Sequence, residues 1–352
     1  MDTDTPSKTL VIGPAWVGDM VMAQSLCHYL KTQDPGIEIS VVAPANTAPI
    51  AKRMPAVHDV IETTFAHGRL HLQARWRMGH ALKKRRFSQA FVLPGSLKSA
   101  LVPFFAAIPL RTGYSGEPRW GLINDCRPKP RHKRDLMVDR FIDLARTKPS
   151  IPKTAFPAPQ LEADRSAPQT IFRRLNKKIK AQPVLALCPG AEFGPAKQWP
   201  PASFASLANH ATAHGWQIWL MGGPGDQKIA NEIMASCQVT TAVINLVGQT
   251  TIVEAIDLLA SADAVVSNDS GLMHIAAATN TPVVGIFGSS SEQHTPPLGD
   301  NATSVFNSID CRPCFARQCP FGHTRCLSEI HAHDVINALS KLLAHSSPQL
   351  TI

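Results

Sequence analysis

Residues Val265 to Gly288, VVSNDSGLMHIAAATNTPVVGIFG, read as strand, loop, helix and strand within a single α/β unit. The run closing at Asn268 and the run PVVGIFG from Pro282 have the β-branched, apolar composition of buried parallel strands. Between them, Asp269 or Ser270 can cap a helix whose apolar face is Leu272, Ile275, Ala276 and Thr279. Gly271 removes a side chain where the first helical turn presents unpaired N–H groups, and such a terminus attracts phosphate through those donors and the helix dipole. A diphosphate fits there. His274, three residues further on, can reach the same anion or hydrogen-bond a neighbouring loop. An isolated D-S-G at a helix start is more often a plain cap, so the neighbouring loops decide between the two uses.

Those loops favour an anion. PGAEFGPAKQWP (Pro189 to Pro200) follows the strand begun at Pro183, and its Gly190 and Gly194 permit close backbone approach. Lys197 in the same loop is placed to neutralise charge on a leaving diphosphate. GGPGD (Gly222 to Asp226) ends the strand begun at Trp216 and leaves room for a nucleoside. In open α/β sheets ligands bind beyond the carboxyl ends of the strands, so three strand-end loops point at one crevice.

The same alternation runs through the first half, where TLVIG (Thr9 to Gly13), EISVVAP (Glu38 to Pro44) and QAFVLPG (Gln89 to Gly95) read as strands with helical stretches between them. From Lys148 to Pro168 there are five prolines and no sustained period, which marks a linker. The expected architecture is α/β, with two Rossmann-like domains facing a cleft, over residues 1–160 and 161–352.

Apolar residues at 44% and charged residues at 17% describe a chain that buries a sizeable core, not a disordered one. The start MDTDTPS lacks the basic and apolar regions of a secretory signal, so no export is expected. The stretch Ser99 to Leu110 is 12 residues long with two prolines, short of the ~20 that a spanning helix needs. Of the net charge of +9, the window Ala66 to Arg134 holds 15 Lys and Arg against Glu117 and Asp125. That imbalance suggests an anionic partner. Readers of nucleic acid usually interleave aromatic stacking residues with basic ones. Only Trp76, Phe87 and Trp120 do so here, and no nucleic-acid partner is expected.

AEFGPAKQWP, SNDSGLMHIAAA and TPVVGIFG together resemble the lipopolysaccharide heptosyltransferase family of GT-B glycosyltransferases. The resemblance extends over nearly the whole chain, through VIGPAWVGDMVMAQSL, LPGSLKSALVPFFA and CRPCFARQCPFGHTRC. It implies inverting transfer of L-glycero-D-manno-heptose from ADP-heptose to the first heptose of the lipopolysaccharide inner core, on a Kdo-lipid A acceptor. By the same resemblance Gly190, Lys197, Thr250, Asp269, Ser270, Gly271 and His274 belong to the donor site. No cofactor and no metal are expected, since a lysine and a helix N-terminus can supply the positive field at the leaving group. The only D-x-D, Asp2-Thr3-Asp4, sits at the terminus.

An inverting displacement needs a group to accept the proton of the incoming hydroxyl. Asp19, after the first strand and the turn WVGD, matches the position of the family's base. The competing use of Asp19 is as N-cap of a helix beginning at Met20. Ser96, Lys98 and Arg119 are the expected contacts to acceptor carboxylates or phosphates, whereas Lys83 to Arg86 read as a solvated patch and Arg127 to Arg134 admit either use. The acceptor implied is a phosphorylated glycolipid, which gives the basic segment an anionic inner-membrane surface to meet and predicts a cytoplasmic, peripheral protein.

Two other classes remain open: a GT-B-fold sugar-nucleotide epimerase, and a non-catalytic nucleotide-regulated binding module. Another core heptosyltransferase of the same fold is the nearest alternative. The eight cysteines include Cys311, Cys314, Cys319 and Cys326 in the spacing C-x2-C-x4-C-x6-C around His323, a pattern that suits structural zinc. The chemistry implied by the resemblance needs no metal, which places free thiols ahead of zinc.

Overall fold

Two separate cores organise the chain, one in Met1–Pro159 and one in Gln160–Ile352. The computed structural model describes residues 7–65, 68–129, 136–146 and 157–352. The expected linker lies partly outside these residues. From Leu161 onward the chain is already docked on the second unit, with the Leu161 N–H donating to Ala278 O at 2.9 Å and the Asp164 N–H to Asp257 Oδ1 at 2.8 Å.

In the first unit the strands are β1 (Lys8–Ile12), β2 (Glu38–Pro44), β3 (Asp59–Thr63), β4 (Gln89–Val92), β5 (Leu110–Tyr114) and β6 (Asp125–Arg127). In the second they are β7 (Val184–Cys188), β8 (Gln217–Leu220), β9 (Val243–Asn245), β10 (Ala264–Asn268), β11 (Val283–Phe287) and β12 (Ala302–Phe306). The orders are β3-β2-β1-β4-β5-β6 and β12-β11-β10-β7-β8-β9, all pairs parallel. Counted from each unit's own first strand, both sheets have the order 3-2-1-4-5-6, the second read from the opposite edge as 6-5-4-1-2-3. In such a sheet the connections turn to opposite sides at strands 1 and 4, leaving a crevice at their carboxyl ends.

Position in the sheet accounts for which strands are apolar. β7, β10 and β11 are buried at every residue, as strands covered by helices on both faces must be. β3 and β12 are edge strands that mix polar with apolar residues, and β6 and β9 are three-residue edges. The core of the second unit includes Trp199, Trp216, Phe204, Leu185 and Val266. Trp199, Trp216 and Trp219 are each at most 2% exposed. Each buried indole N–H has an acceptor: Ile330 O at 2.8 Å, Thr351 O at 2.8 Å and Gln217 Oε1 at 3.0 Å respectively. The apolar rings are therefore buried without a stranded donor. The first unit packs Leu10, Ile12, Val42, Ala90, Val92 and Val102 in the same way. Among the described residues no helix is long and apolar enough to cross a membrane.

Candidate active site

β7 and β10 lie side by side, Ser267 opposite Cys188, and the loops leaving these two strands meet at the switch point of the second sheet. After β7 the chain runs through Gly190 and Gly194 to Lys197. After β10 it passes Asp269 and Ser270 into the helix Gly271–Ala278. Lys197 Nζ stands 2.5 Å from Asp269 Oδ2, with the two side chains 17% and 4% exposed. Asn268, fully buried, ties the two loops together: its Nδ2 donates to Pro189 O at 2.7 Å and its Oδ1 accepts the Trp199 N–H at 3.1 Å. Its role required the three-dimensional pairing of β7 with β10 to be seen.

The helix start differs from the sequence expectation. Ser270 occupies the N-cap position, but neither its side chain nor that of Asp269 caps the helix. The Asp269 carboxylate is engaged by Lys197, and the Ser270 hydroxyl lies 3.2 Å from Ser267 Oγ. The first-turn N–H groups thus keep the donor capacity that a cap would have taken. The buried face is also rotated: Met273 and His274 are buried with Ile275 and Ala276, while Leu272 is only half-buried. Lys197 carries three donors and commits one to Asp269, so its ammonium can bridge that carboxylate and an incoming anion.

His274 is 6% exposed. Burial, reinforced by Lys197 and opposed by Asp269, pushes its imidazole down to about 4. It is neutral at pH 7 and supplies a dipole rather than a charge. The unfolded chain binds a proton at this histidine between its ordinary value of 6.5 and about 4 while the folded chain does not, so stability is lost as pH falls through that window. At pH 5 the expected loss at this site is about 2 kcal/mol. Denaturant unfolding at pH 7 and pH 5 checks this: His274→Gln should lose less stability than the parent over that interval. Equal losses in the two proteins would show that His274 does not titrate in this way.

Gly190 and Gly194 have separate reasons to be glycine. A Cβ on Gly190 would lie 2.3 Å from Asp226 Oδ2. Gly194 has φ +149°, and a Cβ there would meet Arg317 O at 2.5 Å. Asp226 closes the turn after β8 by accepting the Gly223 N–H at 2.9 Å, and burial raises its carboxyl above the ordinary range. The turn GGPGD brings this acid against the β7 loop, a placement its sequence did not disclose. Thr250 is half-buried, immediately before a helix capped by Thr251, whose side chain and Glu254 satisfy each other's backbone N–H groups.

In the first unit Asp19 follows β1 and Ser96 and Lys98 follow β4, the adjacent strands at that sheet's switch point. Asp19 does not cap a helix beginning at Met20. The helix runs Val17–Gln33 with Trp16 as N-cap, and half-buried Asp19 stands in its first turn. Ser96 and Lys98 are both half-buried in the loop after β4. Arg119 is turned inward, contrary to its expected role as an acceptor contact. It is 5% exposed and donates to Pro94 O at 2.8 Å and Tyr114 O at 2.5 Å, so it clamps the loop after β4 instead of presenting charge to solvent. Arg127 is likewise held by Asp125 at 3.0 Å and by Asp143 O at 2.9 Å, while Arg131 and Arg134 lie outside the described residues.

The chain is similar to known proteins in sequence and fold. The family model described as "Glycosyltransferase family 9 (heptosyltransferase)" matches residues 75–325. Lipopolysaccharide heptosyltransferase 2 of Escherichia coli K12 is 40% identical over 344 residues, 96% of this chain and 98% of that protein. Lipooligosaccharide heptosyltransferase 2 of Haemophilus influenzae is 42% identical over 311 residues, 84% and 87% of the two chains. The solved structure of E. coli ADP-heptose LPS heptosyltransferase II superposes with a TM-score of 0.84 at 38% identity, over 96% of this chain and 99% of that one. With its two Rossmann-like sheets and their switch-point loops, this chain belongs to glycosyltransferase family 9, the heptosyltransferases.

Proposed function

We propose that this chain transfers heptose from ADP-heptose to the first heptose of the lipopolysaccharide inner core, the reaction of a heptosyltransferase II. The observation that carries the donor half is the Lys197–Asp269 pair beside an uncapped helix N-terminus at the switch point of the second sheet. Substrate identity is supported by relatives at 40% and 42% identity that are named heptosyltransferase 2.

In this reading the diphosphate takes the first-turn N–H groups of the helix Gly271–Ala278 and the Lys197 ammonium, with Asp269 fixing the ammonium in place. The acceptor hydroxyl oxygen attacks the anomeric carbon and its proton passes to the Asp19 carboxylate. The bond from that carbon to the β-phosphate oxygen breaks with its electron pair, and ADP leaves. Attack from the face opposite the leaving group inverts the anomeric centre. Lys197 and the helix terminus offset the charge that develops on ADP, so no metal or other cofactor is assigned to the chemistry. Ser96 and Lys98 serve the acceptor's acidic groups. The basic segment of the first unit meets an anionic membrane surface on the cytoplasmic side, where long-range attraction concentrates the enzyme near its lipid acceptor.

Incubation with ADP-heptose and core acceptors bearing no, one or two heptoses tests the assignment. Transfer to the one-heptose acceptor alone is expected. Transfer only to one of the other two would move the enzyme to a different step, and absence of ADP release with all three would remove the transferase assignment.

A further inference from the structure

Between the end of β12 and the helix Arg325–Ser328, residues Asn307 to Thr324 contain neither helix nor strand. Backbone hydrogen bonds tie this stretch to the candidate donor loop. Arg317 O accepts the Ala196 N–H at 3.1 Å, Ala196 O accepts the Ser289 N–H at 3.1 Å, and Ser289 O accepts the Phe315 N–H at 2.7 Å. Three loops are thereby stitched together beyond the carboxyl ends of β7 and β11, with Lys197 next in sequence to the stitch. The approach is close enough to dictate a residue: a Cβ at position 194 would stand 2.5 Å from Arg317 O, which leaves only glycine there.

The stretch carries two arginines, Arg312 and Arg317, and they have different uses. The Arg312 side chain is 6% exposed and fully engaged, donating to Gly288 O at 2.9 Å and Ser290 O at 3.1 Å and pairing with Glu292 at 2.7 Å. It clamps the end of β11. Arg317 is exposed, and among the described residues no carboxylate pairs with it. Its guanidinium lies over the half-buried Phe193 ring, 5.2 Å from the centre, and the Lys197 ammonium lies over the same ring at 5.0 Å. An aromatic face attracts each cation without neutralising it. Asp269 offsets the charge of Lys197, whereas that of Arg317 is left unbalanced beside it. Two like charges sharing one ring repel, and an anion that meets both relieves the repulsion.

We propose that Arg317 is a second cationic ligand of the donor's diphosphate, a role that rests on the donor site assigned above. The Phe193 ring is the platform that holds the guanidinium beside the Lys197 ammonium. The planar guanidinium can grip two phosphate oxygens at once, which the point charge of an ammonium does not do. ADP carries most of its charge on the terminal phosphate, and Arg317 serves that phosphate. There it offsets the charge that develops as the bond to the heptose breaks.

Calorimetric titration of the full-length protein with ADP and with AMP tests this. Arg317→Ala keeps the Cβ and the backbone carbonyl, so the hydrogen bond to Ala196 stays while the charge goes. ADP affinity should fall about tenfold and AMP affinity by no more than about twofold, since AMP lacks the phosphate that Arg317 serves. The thermal unfolding midpoint should stay within about 2 °C, because the side chain is exposed. Arg317→Lys should recover part of the lost affinity. Phe193→Leu, which keeps apolar bulk and removes the aromatic face, should weaken ADP binding about threefold. Unchanged ADP affinity in Arg317→Ala would overturn the proposal, and so would equal losses for ADP and AMP with a lowered midpoint, the mark of a merely structural residue. Failure of the donor site itself reads differently: the parent then binds no ADP, or Lys197→Ala binds it as tightly as the parent.

Discussion

Lys197→Ala is expected to weaken ADP binding by about 10- to 100-fold and to lower turnover by a further ~100-fold or more. The first effect is the loss of a charge-assisted hydrogen bond to the diphosphate, worth about 1.5–3 kcal/mol. The second arises because negative charge grows on ADP as the glycosidic bond breaks, and the ammonium stabilises that transition state more than the bound donor. Removing the lysine also leaves Asp269, whose side chain is 4% exposed, as a buried carboxylate with no ammonium beside it, facing the same diphosphate. Breaking a buried pair from one side costs about 3–5 kcal/mol when both partners are enclosed. Lys197 is 17% exposed, so a smaller destabilisation is expected here. Calorimetric titration with ADP, steady-state turnover and denaturant unfolding separate the three effects. Adding Asp269→Asn to Lys197→Ala should restore stability without restoring turnover. Unchanged ADP affinity in the single variant would exclude Lys197 from the diphosphate site.

Asp19→Asn should reduce turnover by about 10²- to 10⁴-fold, the range for removal of a general base, while ADP affinity stays within about twofold. Asparagine keeps the shape and hydrogen-bonding capacity of the side chain but cannot take the proton. Since the helix starts at Val17 with Trp16 as cap, the substitution removes no N-cap. It removes a negative charge from a first turn, worth about 0.3–1 kcal/mol. A large fall in turnover with a small fall in stability therefore marks chemistry rather than folding. Turnover near that of the parent would eliminate Asp19 as the base.

How much of this was legible in the sequence depended on burial. The strands around Leu10, Val41, Leu187, Val266 and Ile286 lie inside their sheets, and an apolar β-branched run is what a doubly covered parallel strand requires. The edge strands β3, β6, β9 and β12 were not legible, because one open side lets polar residues in and erases the pattern. The candidate donor loops were legible because glycine, lysine and the acid stand at strand ends, where sequence position and sheet position coincide. What each side chain does there could not. Asp269 looked like a cap until Lys197, 72 residues away in the chain, was seen to hold it. Arg119 reads in the sequence as a contact to acceptor carboxylates or phosphates, but in the fold it donates to the carbonyls of Pro94 and Tyr114. Asn268 and Asp226 act through partners on another strand or loop, information that no local pattern carries. The cysteine spacing is legible as a pattern that suits a metal, but whether the side chains converge is decided by the fold, and among the described residues no three His, Cys, Asp or Glu side chains form a metal-holding group.

In the proposed donor complex the diphosphate lies between the Lys197 ammonium and the N-terminus of the helix Gly271–Ala278. A crystal structure of the protein with ADP measures this directly. The expected result is phosphate oxygens within hydrogen-bonding distance of Lys197 Nζ and of the first-turn amides beginning at Gly271, with Asp269 still holding the ammonium. ADP bound elsewhere, or a diphosphate touching neither Lys197 nor that helix terminus, would contradict it.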